Sequence, residues 1–254
     1  MLAGALVTLL AGPAASQTGP AAEDAFTGRE IVLRTYAANG GETWRRPRTL
    51  SLRGWSVVYP EGRLAGATTI PDYRMDRVFP SEGGAAHEAN GQVRFEGRAD
   101  GRRVFLISYD GETTYTGRGP LSLDAADRRW SAAFGFGVIR FAADAGFSVE
   151  RLADTNVDGR RAYAVRVTDP AATETVFAID QETYAVLRVG FDTPEGWHER
   201  VYSDFFWVEA EGGGRFRQPG ALRLVYDGVV EREIRWTEAA VNVAIDPALF
   251  SDWR

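Results

Sequence analysis

The segment Asp158-Gly-Arg-Arg-Ala-Tyr-Ala-Val-Arg-Val-Thr168 contains the pattern that decides the fold. Its Asp-Gly pair suits a two-residue hairpin turn, because both residues tolerate a positive φ. After the turn, Tyr163, Val165 and Val167 alternate with small or polar residues, which is the period of a half-buried strand. The run 147–152 lies on the other side of the turn. The segment therefore predicts an antiparallel hairpin.

The same combination of turn and alternation recurs along the chain. Further Asp-Gly or Asn-Gly pairs occur at Asn90–Gly91, Asp100–Gly101, Asp110–Gly111 and Asp227–Gly228. Alternating runs occupy Thr49–Tyr59, Arg103–Tyr109, Glu112–Thr116, Ala185–Asp192, Trp197–Val208, Ala221–Tyr226 and Val229–Thr237. In the last run, Val230, Ile234 and Trp236 are predicted to share a face. Roughly ten strands, mostly without helices between them, predict a sandwich, a barrel or one strongly curved sheet.

Two segments are predicted to be helical. Ala25–Asn39 carries spaced apolar residues and is followed by a Gly-Gly stop. In Asp124–Ala145, the residues Trp130, Phe134, Val138 and Phe141 form one apolar stripe at helical spacing. Gly135 and Gly137 weaken this second helix, so a break into two short helices is expected there.

The composition excludes several classes of chemistry. The chain has no cysteine, no lysine and only two histidines, His87 and His198. Disulfides, thiolate metal sites, lysine Schiff bases and cysteine nucleophiles are therefore excluded. Only these two histidines could serve as the base of a Ser-His-Asp triad. The net charge of −6 argues against a nucleic-acid partner, because nucleic acid is bound through concentrated positive charge.

The N-terminus has the features of an export signal. Met1–Ala15 is an apolar run too short to span a bilayer, and small residues follow it. We expect residues 1–22 to be a signal peptide and residues 23–254 to be a single soluble domain in the periplasm. Without cysteine, no lipid anchor is expected at the mature N-terminus. The alternative is a hydrophobic N-terminal helix kept in the mature protein.

Two short motifs suggest binding sites but fit turns and helix breaks better. Asp154–Gly159 matches the first half of a calcium loop, yet Val165 stands where the bidentate glutamate belongs. Gly135-x-Gly137 lacks the preceding strand of a dinucleotide fingerprint. We therefore predict no metal, no cofactor and no catalytic residue, although a hydrolase that uses His198 and nearby carboxylates stays open as a weaker alternative.

The aromatic residues are the strongest remaining signal. The chain has 7 tryptophans, 9 tyrosines and 14 phenylalanines, and several strands have apolar residues on both faces. Trp197 and Val201, for example, alternate with Tyr202, and Trp55 and Val57 follow Leu52 on the opposite side. A sheet with two apolar faces needs cover on both, or it leaves an apolar cavity that can take a ligand.

Several stretches together resemble the LolA/LolB-like superfamily of envelope lipoprotein and lipid carriers. The stretches that carry the resemblance are the helix end Ala38–Trp44, the strand from Thr49 past Arg53–Gly54, the hairpin Thr175–Val189 turning after Asp180, Tyr202–Phe205, Gln218–Pro219, and Val241–Phe250.

This resemblance implies a mainly β fold, in which a strongly curved antiparallel sheet forms an open, incomplete β-barrel with helices in its mouth as a lid. It implies a hydrophobic or acylated ligand, a lipid or lipoprotein, moved across the periplasm between an inner-membrane donor and an outer-membrane acceptor. The stripe Trp130, Phe134, Val138 and Phe141 would be the underside of the lid, and Phe105, Tyr115, Phe177 and Phe191 would be cavity walls. The alternative is a non-enzymatic sensor or interaction module with the same fold, bound to a protein partner.

Overall fold

The computed structural model describes residues 26–80, 91–125, 135–194 and 196–254. The helices are α1 (Gly28–Asn39), α2 (Glu42–Arg45), α3 (Gly135–Val138) and α4 (Ala248–Ser251), with a 3-10 turn at Pro60–Gly62. The strands are β1 (Thr49–Val58), β2 (Thr68–Val78), β3 (Gln92–Ala99), β4 (Arg102–Tyr109), β5 (Thr114–Thr116), β6 (Gly119–Pro120), β7 (Ser148–Arg151), β8 (Thr155–Val157), β9 (Arg160–Thr168), β10 (Glu174–Asp180), β11 (Val186–Thr193), β12 (Gly196–Glu209), β13 (Arg215–Tyr226) and β14 (Val229–Val241).

All fourteen strands belong to one antiparallel sheet. Its order is β6-β5-β4-β3-β2-β1-β14-β13-β12-β11-β10-β9-β7, with β8 also pairing with β9. The pairing of β1 with β14 joins the first half of the chain to the second. The sheet is not closed into a barrel. The predicted fold class, a mainly β protein with an open antiparallel sheet and few helices, is confirmed.

Three of the four Asp-Gly pairs, which begin at Asp100, Asp158 and Asp227, make the two-residue turns that their sequence predicts. The predicted turn at Asp110–Gly111 is wrong, because this pair lies in a longer loop between Tyr109 and Thr114. Asp158 and Gly159 have φ of 49° and 84°, and Asp227 and Gly228 have 45° and 82°. Positive φ at both central positions is the geometry of a type I′ hairpin turn. The turn at Asp158–Gly159 joins β8 to β9, and β7 pairs with β9 further along. The half-match to a calcium loop is therefore part of a hairpin.

Helix α1 ends where its sequence predicts, but it begins at Gly28 and not at Ala25, because Thr27 caps its first turn. Thr27 and Glu30 form a capping box, in which each side chain accepts a hydrogen bond from the other residue's backbone N–H. Gly40 follows with a φ of 127°, and a Cβ at this position would stand 2.0 Å from the carbonyl oxygen of Arg215. The helix therefore stops against β13, where only glycine fits. The prediction of a helix ending at Asn39 is confirmed.

The second predicted helix is much shorter in the described residues. Of Asp124–Ala145, the part from 135 onward contains only the single turn α3. Turns then follow up to Asp144, with Arg140 and Phe141 bonding back to residues three positions earlier. A continuous helix through Ala145 is therefore wrong, because the helix ends after Val138. Gly135 and Gly137 both lie within α3, and residues 126–134 lie outside the described part of the chain, so the break expected around these glycines stays a prediction. Trp130 and Phe134 lie outside the described residues, as does the predicted signal peptide.

The C-terminal segment packs against the sheet at β3 and β4. Phe250 is fully buried, and its carbonyl oxygen accepts a hydrogen bond of 2.6 Å from the Ser108 hydroxyl. Arg94 donates to the carbonyl oxygen of Leu249 at 3.0 Å and forms a buried ion pair with Glu96. This segment lies on the face of the sheet opposite to the main core, because Arg94 and Ser108 alternate with the core residues of their strands.

Candidate functional site

Strand register determines which residues share a face of the sheet, because antiparallel partners point the same way. Tyr202 pairs with Leu222, and Leu222 pairs with Ile234. Ile234 pairs in turn with Ser56, which pairs with Ile70. This face carries the main hydrophobic core, and we call it the inner face. A smaller cluster that includes Leu187 and Val201 lies on the other face, the outer face.

The helices and the turns after α3 cover part of the inner face. We call α1, α2 and residues 135–144 the cover. Ile31 and Val32 are fully buried in it, and α1 packs on β7, β9 and β13 while α3 packs on β11. The Tyr36 hydroxyl donates to the Ile139 carbonyl oxygen at 2.7 Å and accepts from the Ala143 N–H at 3.2 Å. This one side chain therefore joins α1 to the turns that follow α3.

An aromatic patch occupies the inner face on β2, β3, β4 and β14. The ring of Tyr73 lies 5.6 Å from Trp236, 6.1 Å from Phe105 and 6.5 Å from Phe95, measured between centroids. Tyr73 and Trp236 are buried, and Phe95 and Phe105 are half-buried. Arg232 donates to the Tyr73 hydroxyl at 3.2 Å. The patch lies on strands other than those on which α1 and α3 pack, so it extends the apolar inner face beyond them.

Arginine side chains stand between the cover and the inner face. Arg140, in the cover, is 2% exposed, and its guanidinium lies 5.0 Å from the Trp44 ring, 4.9 Å from Phe79 and 5.3 Å from Phe216. Arg77 extends from the inner face of β2 and lies 4.8 Å from the same Phe79 ring. Burial lowers the pKa of Arg140 to about 9 and that of Arg77 to about 10. Both therefore remain cationic at neutral pH.

Arg200 completes this group, which we call the arginine cluster: Arg77, Arg140 and Arg200. Arg200 lies on β12 two residues from Tyr202, on the same inner face. Its positive charge helps to lower the pKa of Arg77, and the charge of Arg77 helps to lower that of Arg140. Burial raises the pKa of the Tyr202 hydroxyl, against the influence of Arg200 and Arg140. The cluster is thus a concentration of positive charge between the inner face and the cover, with Arg140 buried and Arg77 and Arg200 half-buried.

His198 is a buried neutral side chain and not an exposed base. It is 0% exposed, and its ring lies 5.1 Å from Phe191 and 4.4 Å from Tyr226. Arg200 donates to its Nε2 at 3.3 Å, while Nδ1 is buried and has no hydrogen-bond partner within the described part of the chain. Burial, with a contribution from Arg200, lowers the pKa of His198 to about 3. This geometry lends no support to the hydrolase alternative, which needs an accessible base.

The structure brings most of the described site candidates to the interior. Val138 and Phe141 lie in the cover and are 2% and 7% exposed. Phe177 and Phe191 are buried on the inner face of β10 and β11. Phe105 lies in the aromatic patch. Val138, Phe177 and Phe191 belong to the main hydrophobic core and Phe105 packs against it, whereas Phe141 is buried outside that cluster.

The Tyr115 side chain points to the outer face of the sheet, unlike Phe105, Phe177 and Phe191. It pairs with Ser108, whose hydroxyl bonds the C-terminal segment on the outer face. The Tyr115 hydroxyl donates to Asp110 at 3.0 Å. Tyr115 is therefore separated from Phe105 by the sheet itself.

Strand β2 and the three arginines of the cluster were not predicted from the sequence. The signal was present in Tyr73-x-Met75-x-Arg77, where an arginine takes the inward position of an alternating strand. Nothing in the local sequence marks Arg140 or Arg200 in the same way, because their proximity to Arg77 is a product of the tertiary fold.

The described residues contain no group of three or more histidine, aspartate or glutamate side chains placed to hold a metal ion. Among the helices of these same residues, none has the length and apolar character needed to cross a membrane.

The architecture matches that of solved proteins with very different sequences. A LolA superfamily protein from Nitrosomonas europaea superposes with a TM-score of 0.52 at 11% identity, over 89% of this chain and 98% of that one. The chain has a LolA-like fold. A DUF1329 family protein from Desulfovibrio piger superposes with a TM-score of 0.51 at 12% identity, over 89% and 96% of the two chains.

A third structure with the LolA-like fold is described as an outer membrane lipoprotein-sorting protein domain, from Vibrio parahaemolyticus. It superposes with a TM-score of 0.50 at 12% identity, over 88% of this chain and 95% of that one. No protein-family model matches the sequence, and no curated protein does either. The LolA-like fold of this chain is therefore visible in its structure and not in its overall sequence similarity.

Proposed function

We propose that this protein binds a hydrophobic or acylated ligand between the inner face and the cover, as a carrier in the cell envelope. The observation that carries the proposal is the continuous apolar inner face, which extends from the covered strands to the aromatic patch. Burial of each methylene contributes about 0.8 kcal/mol, so an acyl chain would contribute on the order of 10 kcal/mol before ordering costs. The lipoprotein-sorting domain among the structural neighbours supports this ligand class.

The proposed site of action is the periplasm, between two membranes that supply and receive the ligand. We propose that residues 1–22 direct export and that residues 23–254 act as one domain in the periplasm. A lipid or lipoprotein would be received from an inner-membrane donor and passed to an outer-membrane acceptor. The single sheet that spans Thr49 to Val241 supports the single domain. Release of the ligand would follow from competition with closure of the cover over an empty interior.

Mass spectrometry of protein purified from the periplasm tests the proposal directly. We expect a stoichiometric acyl-chain ligand that is seen in native spectra and recovered by organic extraction. A delipidated sample should then take up a fluorescent fatty-acid probe. An empty protein that takes up no probe would overturn the carrier proposal, and a stable complex between that empty protein and a protein partner would favour the interaction module.

A pair of neighbouring substitutions locates the binding surface. Phe105→Glu places a charge in the half-buried aromatic patch, whereas Val104→Glu changes the adjacent residue, which is 57% exposed. We expect at least a tenfold weaker uptake of probe by the first variant and unchanged uptake by the second, with both folded by circular dichroism. Equal uptake by the two variants would place the ligand elsewhere.

A further inference from the structure

The arginine cluster is an unusual feature for an interior that binds only hydrocarbon. Its three members come from three separate segments: Arg77 from β2, Arg140 from the cover and Arg200 from β12. Burial of a charged group is costly unless an opposite charge or strong hydrogen bonds compensate. The Arg77 side chain is half-buried and its Nε is shielded from solvent, so an apolar side chain at this position would avoid that cost. The arginine at this position therefore points to a role that requires positive charge.

Of the three arginines, Arg77 gives the most direct evidence that the cluster binds an anion. Its Nε is buried and has no hydrogen-bond partner among the described residues, and the like charge of Arg200 acts on it. The contact of its guanidinium with the Phe79 ring offers a weak cation–π attraction. That contact does not satisfy the buried donor. An anion that enters the interior would meet both the donor and the charge.

We infer that the arginine cluster holds the anionic headgroup of the acylated ligand, so that the ligand enters the interior with its carboxylate or phosphate directed at Arg77, Arg140 and Arg200. The inference rests on the proposed function and adds the charge of the ligand and its direction. Guanidinium groups suit this role because they remain charged and bind carboxylate or phosphate oxygens through two parallel hydrogen bonds.

The direction of the acyl chain follows from β2. Arg77, Met75 and Tyr73 point to the inner face in succession, and Tyr73 is the centre of the aromatic patch. Four residues of strand span about 13 Å. A chain attached to a headgroup at Arg77 would therefore pass over Met75 and reach the aromatic patch. Methionine is flexible and polarizable, which suits a surface that adapts to a mobile chain.

Binding of amphiphiles that share one chain length tests the inference on the full, delipidated protein. The probes are hexadecanoate, hexadecyl phosphate and hexadecanol, measured by displacement of a fluorescent probe at pH 8. We expect the two anions to bind at least tenfold more tightly than the alcohol. Preference for the phosphate over the carboxylate would indicate a phospholipid-type headgroup, and the reverse would indicate a free fatty acid. Both results support an anion site.

Arg77→Gln separates the anion site from the hydrocarbon site, and Arg102→Gln is the matched control because it removes one positive charge from an exposed position on β4. We expect Arg77→Gln to lose most of the preference for anions while binding hexadecanol as before, and Arg102→Gln to retain the preference. Equal affinity of the wild-type protein for the anions and the alcohol would overturn the inference but leave the proposed function intact. Failure of all three amphiphiles to bind would overturn both.

Discussion

The Tyr36 hydroxyl is the most informative single group to remove, because it joins the two parts of the cover. It donates to the Ile139 carbonyl oxygen and accepts from the Ala143 N–H, at 2.7 Å and 3.2 Å. The side chain is 6% exposed, so water cannot easily replace the hydroxyl. Tyr36→Phe keeps the ring and its packing against Trp44 and removes these two hydrogen bonds to the backbone.

The expected cost follows from the two groups that lose their partner. A buried donor or acceptor left without a hydrogen bond costs about 1–3 kcal/mol, and a carbonyl with a second lone pair costs less than an N–H. We expect Tyr36→Phe to lower the free energy of unfolding by about 2 kcal/mol. For a chain of this size, that corresponds to a fall in Tm of roughly 4–8 °C.

Urea denaturation gives the magnitude, and hydrogen exchange shows where the loss occurs. Tyr115→Phe is the control, because its hydroxyl bonds Asp110 at a hairpin near the surface, where the expected loss is about 0.5 kcal/mol. The Ala143 amide should exchange faster in Tyr36→Phe, and uptake of the fatty-acid probe should be faster as the cover loosens. Equal losses in the two variants, with unchanged exchange at Ala143, would refute the view that Tyr36 holds the cover together.

Three further predictions concern stability. The pKa of His198 is about 3 in the folded state and 6.5 in the unfolded state, so the unfolded state binds more protons as the pH falls. The free energy of unfolding should therefore decrease by about 2 kcal/mol between pH 7.5 and pH 5 through this residue. In urea titrations at the two pH values, His198→Gln should show a smaller decrease. A Cβ on Gly54 would stand 1.8 Å from the Arg235 carbonyl oxygen, so Gly54→Ala should cost at least about 2 kcal/mol, whereas Gly117→Ala, with open space around it, should leave the urea midpoint unchanged. Thr27→Ala removes the capping box of α1 and should cost about 1 kcal/mol, with loss of protection at the first α1 amides as the check.

The hairpins were predictable because their information is local. Asp158–Gly159 and Asp227–Gly228 are followed or preceded by alternating residues, and the structure places both pairs in turns with positive φ. Helix α1 is equally local, because Thr27 and Glu30 cap its start and Gly40 ends it. In such cases the residues that determine an element lie within it or next to it, so no knowledge of the remainder of the chain is needed.

Register was the first limit of sequence reasoning. Val230, Ile234 and Trp236 were predicted to share a face, but Val230 packs with the outer cluster while the other two lie in the main core. The reason is an irregularity in the pairing of β13 with β14, where Val225 pairs with Val230 although Leu224 pairs with Arg232. One extra residue reverses the alternation beyond it. A single sequence does not show where such a bulge occurs.

The sequence by itself determined the class of protein: alternating strands joined by Asp-Gly turns, a capped first helix, and more apolar residues than one face of a sheet requires. Only the tertiary structure decided which apolar face became the interior, because both faces carry aromatics and the choice depends on where α1 and the C-terminal segment pack. It also decided that Arg77, Arg140 and Arg200 share the space between the inner face and the cover. They are far apart in the chain, and β2 and β12 are separated by three strands in the sheet, so their placement is a property of the whole sheet and not of any segment in it.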